Sequence, residues 1–473
     1  MFNPPPQRLR ASREAVGKLY DELAKALPSG RVIRDSDILE SYAQDESGAG
    51  SYPPQLLVRP LSTQHVSTTL EAAMRCGVPV VPRGGGTGRA GGCLAIEGGL
   101  VLSLESMNRI LSVDPGSMTA TVEPGVITGD LHEAVEAEGL FYPPDPSSLD
   151  SCHIGGNVAT NASGARNPKY GCTRNQVLGL EMVLPSGRLL RTGGRSLKGV
   201  AGYDLTSLIC GSEGTLAIMT QITVRLLPRP PHVETALMLF PGVDLASRAV
   251  VAIMRAGHNP RALEMMDHVA VDAVRGAAPF RFPEGNQNAV ILELDGTDRE
   301  AVFSELAEIG EMAQARLGAS LVLVAKNNSE RRDLWESRRV MSPSLREKWG
   351  MKYAEDVAVP LDHVPRLVEL VHRRAEQSEI ACSTYGHAGD GSLHVNLLFN
   401  DESAWPAVTK AAEGVYRDAV SLGGTITSEH GIGLIKRDYL PWEQSSPLIA
   451  LQRGLKNLFD PEDLLNPGKI FLP

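Results

Sequence analysis

Two histidine-containing segments carry the residues best suited to metal and proton chemistry. Residues 385–396 read YGHAGDGSLHVN and contain His387 and His394, and residues 427–433 read TSEHGIG and contain Glu429 and His430. Seven positions separate the first two histidines, so in a straight strand they would face opposite sides. The Gly-Asp-Gly stretch between them predicts a bend that lets both imidazoles converge. Two imidazoles and one carboxylate form a common site for Zn, Mn or Fe, with coordination positions left open for a substrate.

A glycine-rich loop follows the apolar run at residues 78–81 and reads PRGGGTG over residues 82–88. Residues 86–91 match the GxGxxG pattern, but a Rossmann turn requires a helix to begin at the loop. More glycines and the strand-like residues 100–104 follow instead, so we expect no helix here. Consecutive backbone N–H groups can form a nest for a diphosphate. A flexible surface turn is the alternative interpretation.

Three further segments combine tight-turn residues with small polar side chains. They read PPDPSS at residues 143–148, GGNVATNASG at 155–164 and GSEGTLAI at 211–218. An extended, polar dinucleotide needs such segments where backbone approaches it closely, so together with the glycine loop they predict a bound dinucleotide. His153, next to the second segment, has no predicted role, and we interpret it as a packed or solvent-facing histidine.

The elements that must position these residues divide at the stretch LPRPP, residues 227–231, because three prolines in four residues forbid a helix or a central strand. Residues 1–50 are predicted to be a helical lead-in and residues 51–230 a mixed domain with many short strands. Residues 231–440 alternate strands and helices, which predicts an antiparallel sheet covered by helices. Residues 441–473 are predicted to be a helical tail. The expected fold class is α+β.

Composition narrows the class of protein. The 473 residues carry a formal charge of −10, which gives no basic footprint for nucleic acid or an anionic membrane. No apolar run reaches the ~20 residues that span a bilayer, and we interpret the N-terminus as lacking a signal peptide. We therefore expect a cytoplasmic protein, or one peripheral to the membrane through a partner. The six cysteines are scattered without a CxxC pair, so we expect mostly buried free thiols and no iron–sulfur cluster.

From about residue 40 onward, these motifs in combination resemble the FAD-linked oxidases of the vanillyl-alcohol oxidase superfamily. Within that family the chain is similar to the group of glycolate oxidase catalytic subunits, D-lactate dehydrogenases and D-2-hydroxyglutarate dehydrogenases. The resemblance implies a two-subdomain FAD-binding domain followed by an antiparallel-sheet substrate (cap) domain. It also implies noncovalent FAD, because members that tether the flavin through the glycine loop carry a histidine where this chain has Thr87-Gly88. The expected cofactor-binding residues are Pro82, Arg83, Gly84, Gly85, Gly86, Thr87, Gly88, Pro144, Asp145, Ser147, Gly155, Gly156, Asn157, Thr160, Asn161, Gly164, Gly211, Glu213, Gly214, Ile218 and Asn466.

The same resemblance implies roles for the polar residues of the second domain. The metal, one divalent Zn, Mn or Fe ion, is expected on His387, His394 and Glu429, with His430 as the general base. Arg338 resembles the family's W-x-x-R element, and its guanidinium fork suits the substrate carboxylate; a solvated helix-face charge is the alternative. Asn396 resembles a substrate-contacting amide in part of the family, and a strand residue bonded to backbone is its alternative.

The expected reaction is oxidation of a small D-2-hydroxy acid to its 2-keto acid, with hydride transfer to the flavin. Ala354 stands where 2-hydroxyglutarate enzymes of the family carry a second cation, which favours glycolate or D-lactate; Asn396 points weakly to 2-hydroxyglutarate. The rivals are an alkyl-dihydroxyacetone-phosphate synthase-like transferase and a non-catalytic flavin-binding subunit. Electrons are expected to leave to an iron–sulfur subunit, an electron-transfer flavoprotein, a cytochrome or a quinone.

Overall fold

The chain changes structural unit between Arg229 and Pro230, inside the proline-rich stretch. The structure is a computed structural model that describes residue 5 and residues 7–472. Its N-terminal unit contains the described residues up to Ser163, Cys172–Arg229, and the chain from Glu429 onward. Its C-terminal unit contains Gly164–Gly171 and Pro230–Ser428. The units are therefore not two continuous halves of the chain. Residues 164–171 belong to the C-terminal unit, and the residues from 429 onward return to the N-terminal unit.

Eighteen strands occur in the described chain. They are β1 Val32–Ile33, β2 Leu56–Val58, β3 Val80–Arg83, β4 Leu100–Ser103, β5 Ile110–Asp114, β6 Thr119–Val122, β7 Leu140–Phe141, β8 Val177–Val183, β9 Leu189–Gly193, β10 Ile218–Arg225, β11 Leu227–Pro228, β12 His232–Phe240, β13 Ala262–Met266, β14 Asn288–Gly296, β15 Leu321–Val324, β16 Met351–Ala358, β17 Ala381–Gly386 and β18 Ser392–Phe399.

Seventeen α-helices occur in the same residues. They are α1 Arg13–Ala26, α2 Ser36–Glu40, α3 Thr63–Cys76, α4 Thr128–Ala137, α5 Ile154–Thr160, α6 Asn167–Tyr170, α7 Thr173–Gln176, α8 Leu205–Ile209, α9 Val243–Arg255, α10 His268–Val274, α11 Arg299–Arg316, α12 Asn328–Arg339, α13 Met341–Trp349, α14 Val364–Gln377, α15 Trp405–Ser421, α16 Leu440–Glu443 and α17 Ser446–Phe459.

The N-terminal unit contains two main sheets. The first has the order β1-β2-β4-β3 and is parallel except for β1. In its β2–α3–β3 connection, Ser62 caps α3 through the N–H of His65, and Gly77 ends the helix in the left-handed region. The second sheet is antiparallel, in the order β5-β6-β10-β8-β9.

The N-terminal lead-in is only partly helical. Helix α1 begins after the Ser12 cap, and its Leu19 and Leu23 are fully buried in a cluster that includes residues of α3, β2 and β4. Residues 28–30 read Pro-Ser-Gly, and Gly30 adopts a φ of +77°, which a helix cannot accommodate. The chain then forms β1, which pairs with Val58, before the short helix α2.

The C-terminal unit is built on a seven-stranded sheet in the order β15-β12-β14-β13-β17-β18-β16. Every neighbouring pair in it is antiparallel. A buried cluster that includes Met266, Ile291 and Leu345 joins one face of the sheet to helices α10, α12 and α13. The antiparallel sheet and the α+β class are therefore confirmed.

Candidate functional site

The glycine-rich loop lies between β3 and β4 without any helix, as the glycine content predicts. A Cβ atom on Gly85 would lie 2.4 Å from the carbonyl oxygen of Ser151, and one on Gly86, which has a φ of +73°, would meet the guanidinium of Arg83. A side chain at Gly85 would therefore displace the backbone at Ser151. The loop borders an open cleft in the N-terminal unit.

Most of the predicted cofactor-binding residues line this cleft. Those in the lining are Pro82, Arg83, Gly84, Gly85, Gly86, Thr87, Gly88, Ser147, Gly155, Gly156, Asn157, Thr160, Glu213, Gly214 and Ile218. Those outside it are Pro144, Asp145, Asn161, Gly164, Gly211 and Asn466. Gly164 belongs to the C-terminal unit, and Asn466 instead bonds the backbone carbonyls of Gly92 and Glu213.

The segment at residues 155–164 differs from the tight-turn expectation, because its first half is the helix α5. Gly155 packs so closely that a Cβ there would lie 2.6 Å from Pro124, which explains a glycine inside a helix. Asn157 donates to the Thr128 hydroxyl at 2.6 Å. The helix ends at Asn161 in the left-handed region, and the Asn161 side chain accepts from the N–H of Arg174 at 2.9 Å.

Glu429 and His430 both line the cleft of the N-terminal unit. Glu429 accepts a hydrogen bond from the Ser163 hydroxyl at 2.8 Å. The loop that follows is fixed by Glu213, whose two carboxylate oxygens accept the N–H groups of Ile432 and Gly433, each at 2.8 Å. Burial raises the pKa of Glu213 in spite of these two bonds. The predicted cofactor residue Glu213 thus also positions the segment that carries His430.

His387 and His394 converge within the C-terminal unit. His387 follows β17, a short 3-10 turn spans Ala388–Asp390, and His394 lies on β18, so that the two ring centroids are 5.6 Å apart. Gly391 makes the bend, with a φ of +87°, and a Cβ there would lie 2.1 Å from the carbonyl oxygen of Val359. Asn167 also donates to the Asp390 carboxylate at 2.5 Å, which holds the turn between the two histidines.

A buried carboxylate that the sequence analysis did not identify, Glu264 on β13, contacts two of the predicted site residues. Its oxygens lie 2.5 Å from His387 Nδ1 and 2.7 Å from Arg338 Nε. The positive charges of His387 and Arg338, with their hydrogen bonds, outweigh the effect of burial and lower the pKa of Glu264 to about 2. Because the ionised carboxylate can only accept, Nδ1 of His387 donates; when this imidazole is neutral, Nε2 carries the lone pair that a metal requires.

Arg338 and Asn396 lie in the same unit as the two histidines. The Arg338 guanidinium also stacks over the Tyr385 ring at 4.6 Å, so it is not the solvated helix-face charge of the alternative interpretation. Asn396 is fully buried, its amide oxygen has no partner among the described residues, and its nitrogen lies 3.4 Å from the carbonyl of Ser383. The amide nitrogen thus bonds strand backbone, as in the alternative interpretation, while the amide oxygen is left without a partner.

Comparison with known proteins decides the family. Residues 54–193 match the model of the FAD binding domain, and residues 229–470 match that of the C-terminal domain of FAD linked oxidases. The chain belongs to the FAD-linked oxidase family. This FAD-linked oxidase is similar to the glycolate oxidase subunit GlcD of Bacillus subtilis, with 39% identity over 91% of this chain and 92% of the relative.

Other relatives of this FAD-linked oxidase carry different substrate names. The D-lactate dehydrogenase of Anaerostipes hadrus is 33% identical over 95% of this chain and 96% of the relative. The D-2-hydroxyglutarate dehydrogenase of Xanthomonas citri pv. viticola is 34% identical over 95% and 96%. A substrate-bound p-cresol methylhydroxylase shares the fold, with a TM-score of 0.78 at 16% identity, over 98% of each chain.

FAD is the cofactor that the matched domain binds, and the cleft fits it. A Cβ at Gly85 would clash with the carbonyl oxygen of Ser151, and the cleft lining is rich in glycine and small polar residues, which leave room for an extended nucleotide. Among the described residues, no helix is long and apolar enough to cross a membrane. All six cysteines are free thiols, and three of them are buried.

Proposed function

We propose that this FAD-linked oxidase oxidises a small D-2-hydroxy acid of the glycolate or D-lactate type to the corresponding 2-keto acid. The observation that carries the proposal is the convergence of His387 and His394, one of them braced by the ionised Glu264. The relatives named for glycolate, D-lactate and D-2-hydroxyglutarate support the substrate class. In this proposal FAD is bound noncovalently, because the threonine Thr87 stands where members with covalent flavin carry the histidine that is bonded to it.

One divalent cation, Zn, Mn or Fe, is proposed to bind His387, His394 and Glu429. The donor set fits such an ion, because both imidazoles converge and Glu264 fixes the tautomer of one of them. Ser428 accepts a hydrogen bond from Ser392 and donates its N–H to Asp356, which is the cross-strand partner of His394. Glu429 is the next residue of the chain, which supports its place in the donor set.

The residues of this chain divide the work of the proposed reaction. Arg338 binds the substrate carboxylate and thereby orients C2, and Asn396 contacts the substrate through its amide. His430 takes the hydroxyl proton, a role that contributes about 10²–10⁴-fold in rate. A bound divalent cation supplies Lewis acidity that lowers the pKa of the substrate hydroxyl. FAD supplies the acceptor for the hydride.

A small substrate is favoured by the environment of Asn396. Its cross-strand partner is Ala354, which carries no charge for a second carboxylate. D-2-hydroxyglutarate is the alternative substrate, supported by Asn396 itself and by the relative of that name. A monocarboxylate leaves no distal charge unpaired beside Ala354, whereas burying an unpaired charge is costly.

Two rival functions are less well supported. The alkyldihydroxyacetonephosphate synthase structure shares the fold, with a TM-score of 0.76 at 20% identity. A likeness at this level of identity supports a shared fold and gives no support for a shared reaction. A non-catalytic flavin-binding subunit would not need the two-histidine motif.

We further propose that the reduced flavin passes its electrons to an external acceptor, which is an iron–sulfur subunit, an electron-transfer flavoprotein, a cytochrome or a quinone. A cytoplasmic location, or one peripheral to the membrane through that acceptor, belongs to the same proposal.

The proposal is tested by mixing the purified holoenzyme anaerobically with glycolate, D-lactate, L-lactate and D-2-hydroxyglutarate and following the visible absorbance of the flavin. We expect bleaching by glycolate or D-lactate and no bleaching by L-lactate. The variant His430→Gln should retain FAD and bleach slowly. If no 2-hydroxy acid bleaches the flavin, the proposed reaction is wrong; if D-2-hydroxyglutarate alone does, the substrate class holds and the size argument fails.

A further inference from the structure

His153 lines the cleft that receives FAD, and one of its ring nitrogens has no partner. Its Nδ1 atom is buried, and no atom of the described residues hydrogen-bonds it. The ring packs against the glycine loop, since a Cβ on Gly84 would meet the His153 Cβ at 3.5 Å and one on Gly85 would meet its Cδ2 at 3.5 Å. Because Nδ1 is closed to solvent, the ring nitrogen that a ligand of the cleft can reach is Nε2, which has no hydrogen-bond partner among the described residues.

The charges around His153 allow it to change protonation state. Burial lowers its pKa, while the negative charge of Glu105 acts in the opposite direction, so the imidazole is neutral at pH 7 in the protein alone. The other charged or titratable side chains of the cleft are Arg83, Arg89, Cys93, Cys152, Glu213, Glu429 and His430. A diphosphate beside His153 would add negative charge, which stabilises the imidazolium form.

We infer that His153 hydrogen-bonds the diphosphate of bound FAD and takes up a proton as FAD binds, so that it makes the affinity for FAD depend on pH. The inference needs the Gly84–Gly88 loop to hold the diphosphate, and it is independent of the substrate, the metal and His430. The arginines of the cleft stay charged at every accessible pH, so they contribute affinity but no such dependence. His153 is therefore a pH-sensitive residue of the cofactor site and has no part in the proposed oxidation.

The direction of the effect follows from linkage. In the free protein the pKa of His153 lies below the ordinary histidine value, and in the FAD complex it is raised. Between these two values, FAD binding takes up a proton, so affinity strengthens as the pH falls through that window. One proton gives at most about a tenfold change in dissociation constant per pH unit, and the dependence levels off on both sides of the window.

The test uses the full chain stripped of FAD and titrated with FAD, from about pH 5.5 to 7.5, around the ordinary histidine pKa. Binding is followed by quenching of flavin fluorescence. Calorimetry in two buffers of different protonation enthalpy counts the proton. We expect the wild type to bind FAD more tightly as the pH falls, by several-fold per pH unit at the steepest point. His153→Gln, which keeps a hydrogen-bonding group but cannot charge, should bind more weakly at low pH and lose most of this slope.

His153→Arg should bind FAD tightly at all of these pH values, with little slope. His65→Gln, on helix α3 outside the cleft lining, serves as the matched control and should behave as the wild type does. A wild type that takes up no proton overturns the inference without the need for any variant. A slope in His153→Gln equal to that of the wild type overturns it as well, because other groups such as His430 or Glu213 would then carry the dependence.

Discussion

The Glu264 carboxylate accepts the Nδ1–H of His387 at 2.5 Å, although 123 residues separate the two in the chain. The same carboxylate holds Arg338 at 2.7 Å, so one side chain orients both an expected metal ligand and the expected anchor of the substrate carboxylate. Since Nδ1 is hydrogen-bonded to Glu264, Nε2 is the nitrogen left for the proposed metal. Such outer carboxylates orient metal-bound histidines and raise their basicity.

Replacing Glu264 with glutamine should weaken metal binding while leaving FAD in place. The amide is neutral and no longer fixes the His387 tautomer, so we expect about a 10- to 100-fold loss of metal affinity. Metal content after dialysis against a weak chelator, measured by mass spectrometry, reports this directly. Glu336→Gln, an exposed partner of Arg339, is the control. Unchanged metal content in Glu264→Gln would remove Glu264 from the metal site.

Replacing Arg338 with methionine should weaken the binding of the hydroxy acid more than it slows the reaction of the bound substrate. Hydrogen bonds to charged groups contribute about 1.5–3 kcal/mol, so KM should rise roughly 10- to 100-fold by the same estimate. Arg339→Met, whose side chain is exposed and pairs with Glu336, should leave KM unchanged. The metal content of both variants must be measured, since Arg338 also contacts Glu264. An unchanged KM in Arg338→Met would exclude it from the substrate pocket.

The sequence predicted those elements whose signals are local. The alternation of strands and helices after residue 231 predicts an antiparallel sheet covered by helices, and the structure contains one. The glycine content also distinguishes the loop from a Rossmann turn, because no helix can begin among so many glycines. One local signal gave a wrong prediction, because Gly155-Gly156 indicates a turn but lies within helix α5. Close packing on Pro124 required a glycine there, and no neighbour in the sequence reveals that contact.

Residues that act over long sequence separations could not be predicted. Glu264 lies in the ordinary apolar strand ALEMM, and only the pairing of Met265 with Gly386 brings that strand to the histidine motif. The segment at residues 164–171 belongs to the C-terminal unit because Lys169 and Tyr170 bond the buried Asp295. The hydrophobic periodicity of the sequence gives no sign of such contacts between distant segments. They arise only when the fold brings the segments together.

The cysteines should differ widely in their reactivity towards iodoacetamide in the native protein. Burial raises the pKa of Cys93, Cys210 and Cys382 to about 12, so at pH 8 only about one thiol in ten thousand is ionised. The thiolate is the reactive form. We expect Cys172, which is only partly buried, to be alkylated first, as measured by mass spectrometry of tryptic peptides.

Alkylation in urea provides the control for this experiment, because unfolding should make all six cysteines react at similar rates. Cys93 is informative because it lines the FAD cleft and contacts Arg83 and Asp45. If native Cys93 reacts as fast as Cys172, its contacts with Arg83 and Asp45 do not shield the thiol.

Glu213→Gln should impair turnover far more than it impairs FAD binding. The carboxylate of Glu213 accepts two backbone N–H groups, from Ile432 and Gly433, and thereby holds the loop that follows His430. A glutamine amide has one acceptor oxygen and would turn its NH₂ group towards the second N–H donor, so one of the two bonds is lost. Gly431 and Gly433 both adopt positive φ angles, which means that the loop has little intrinsic preference for its observed shape. We therefore expect the loop to loosen and His430 to lose its fixed position.

The predicted signature is a fall in the rate of anaerobic flavin reduction of roughly 10²-fold, the lower end of what a positioned base contributes. The dissociation constant of FAD should stay within a few-fold of wild type, because Glu213 is one of many residues that line the cleft. Glu213→Asp, which keeps both acceptor oxygens on a shorter side chain, should recover part of the rate. A variant that loses FAD and activity together would indicate that Glu213 supports the cofactor itself. Equal rates in Glu213→Gln and wild type would show that the His430 segment keeps its position without this carboxylate.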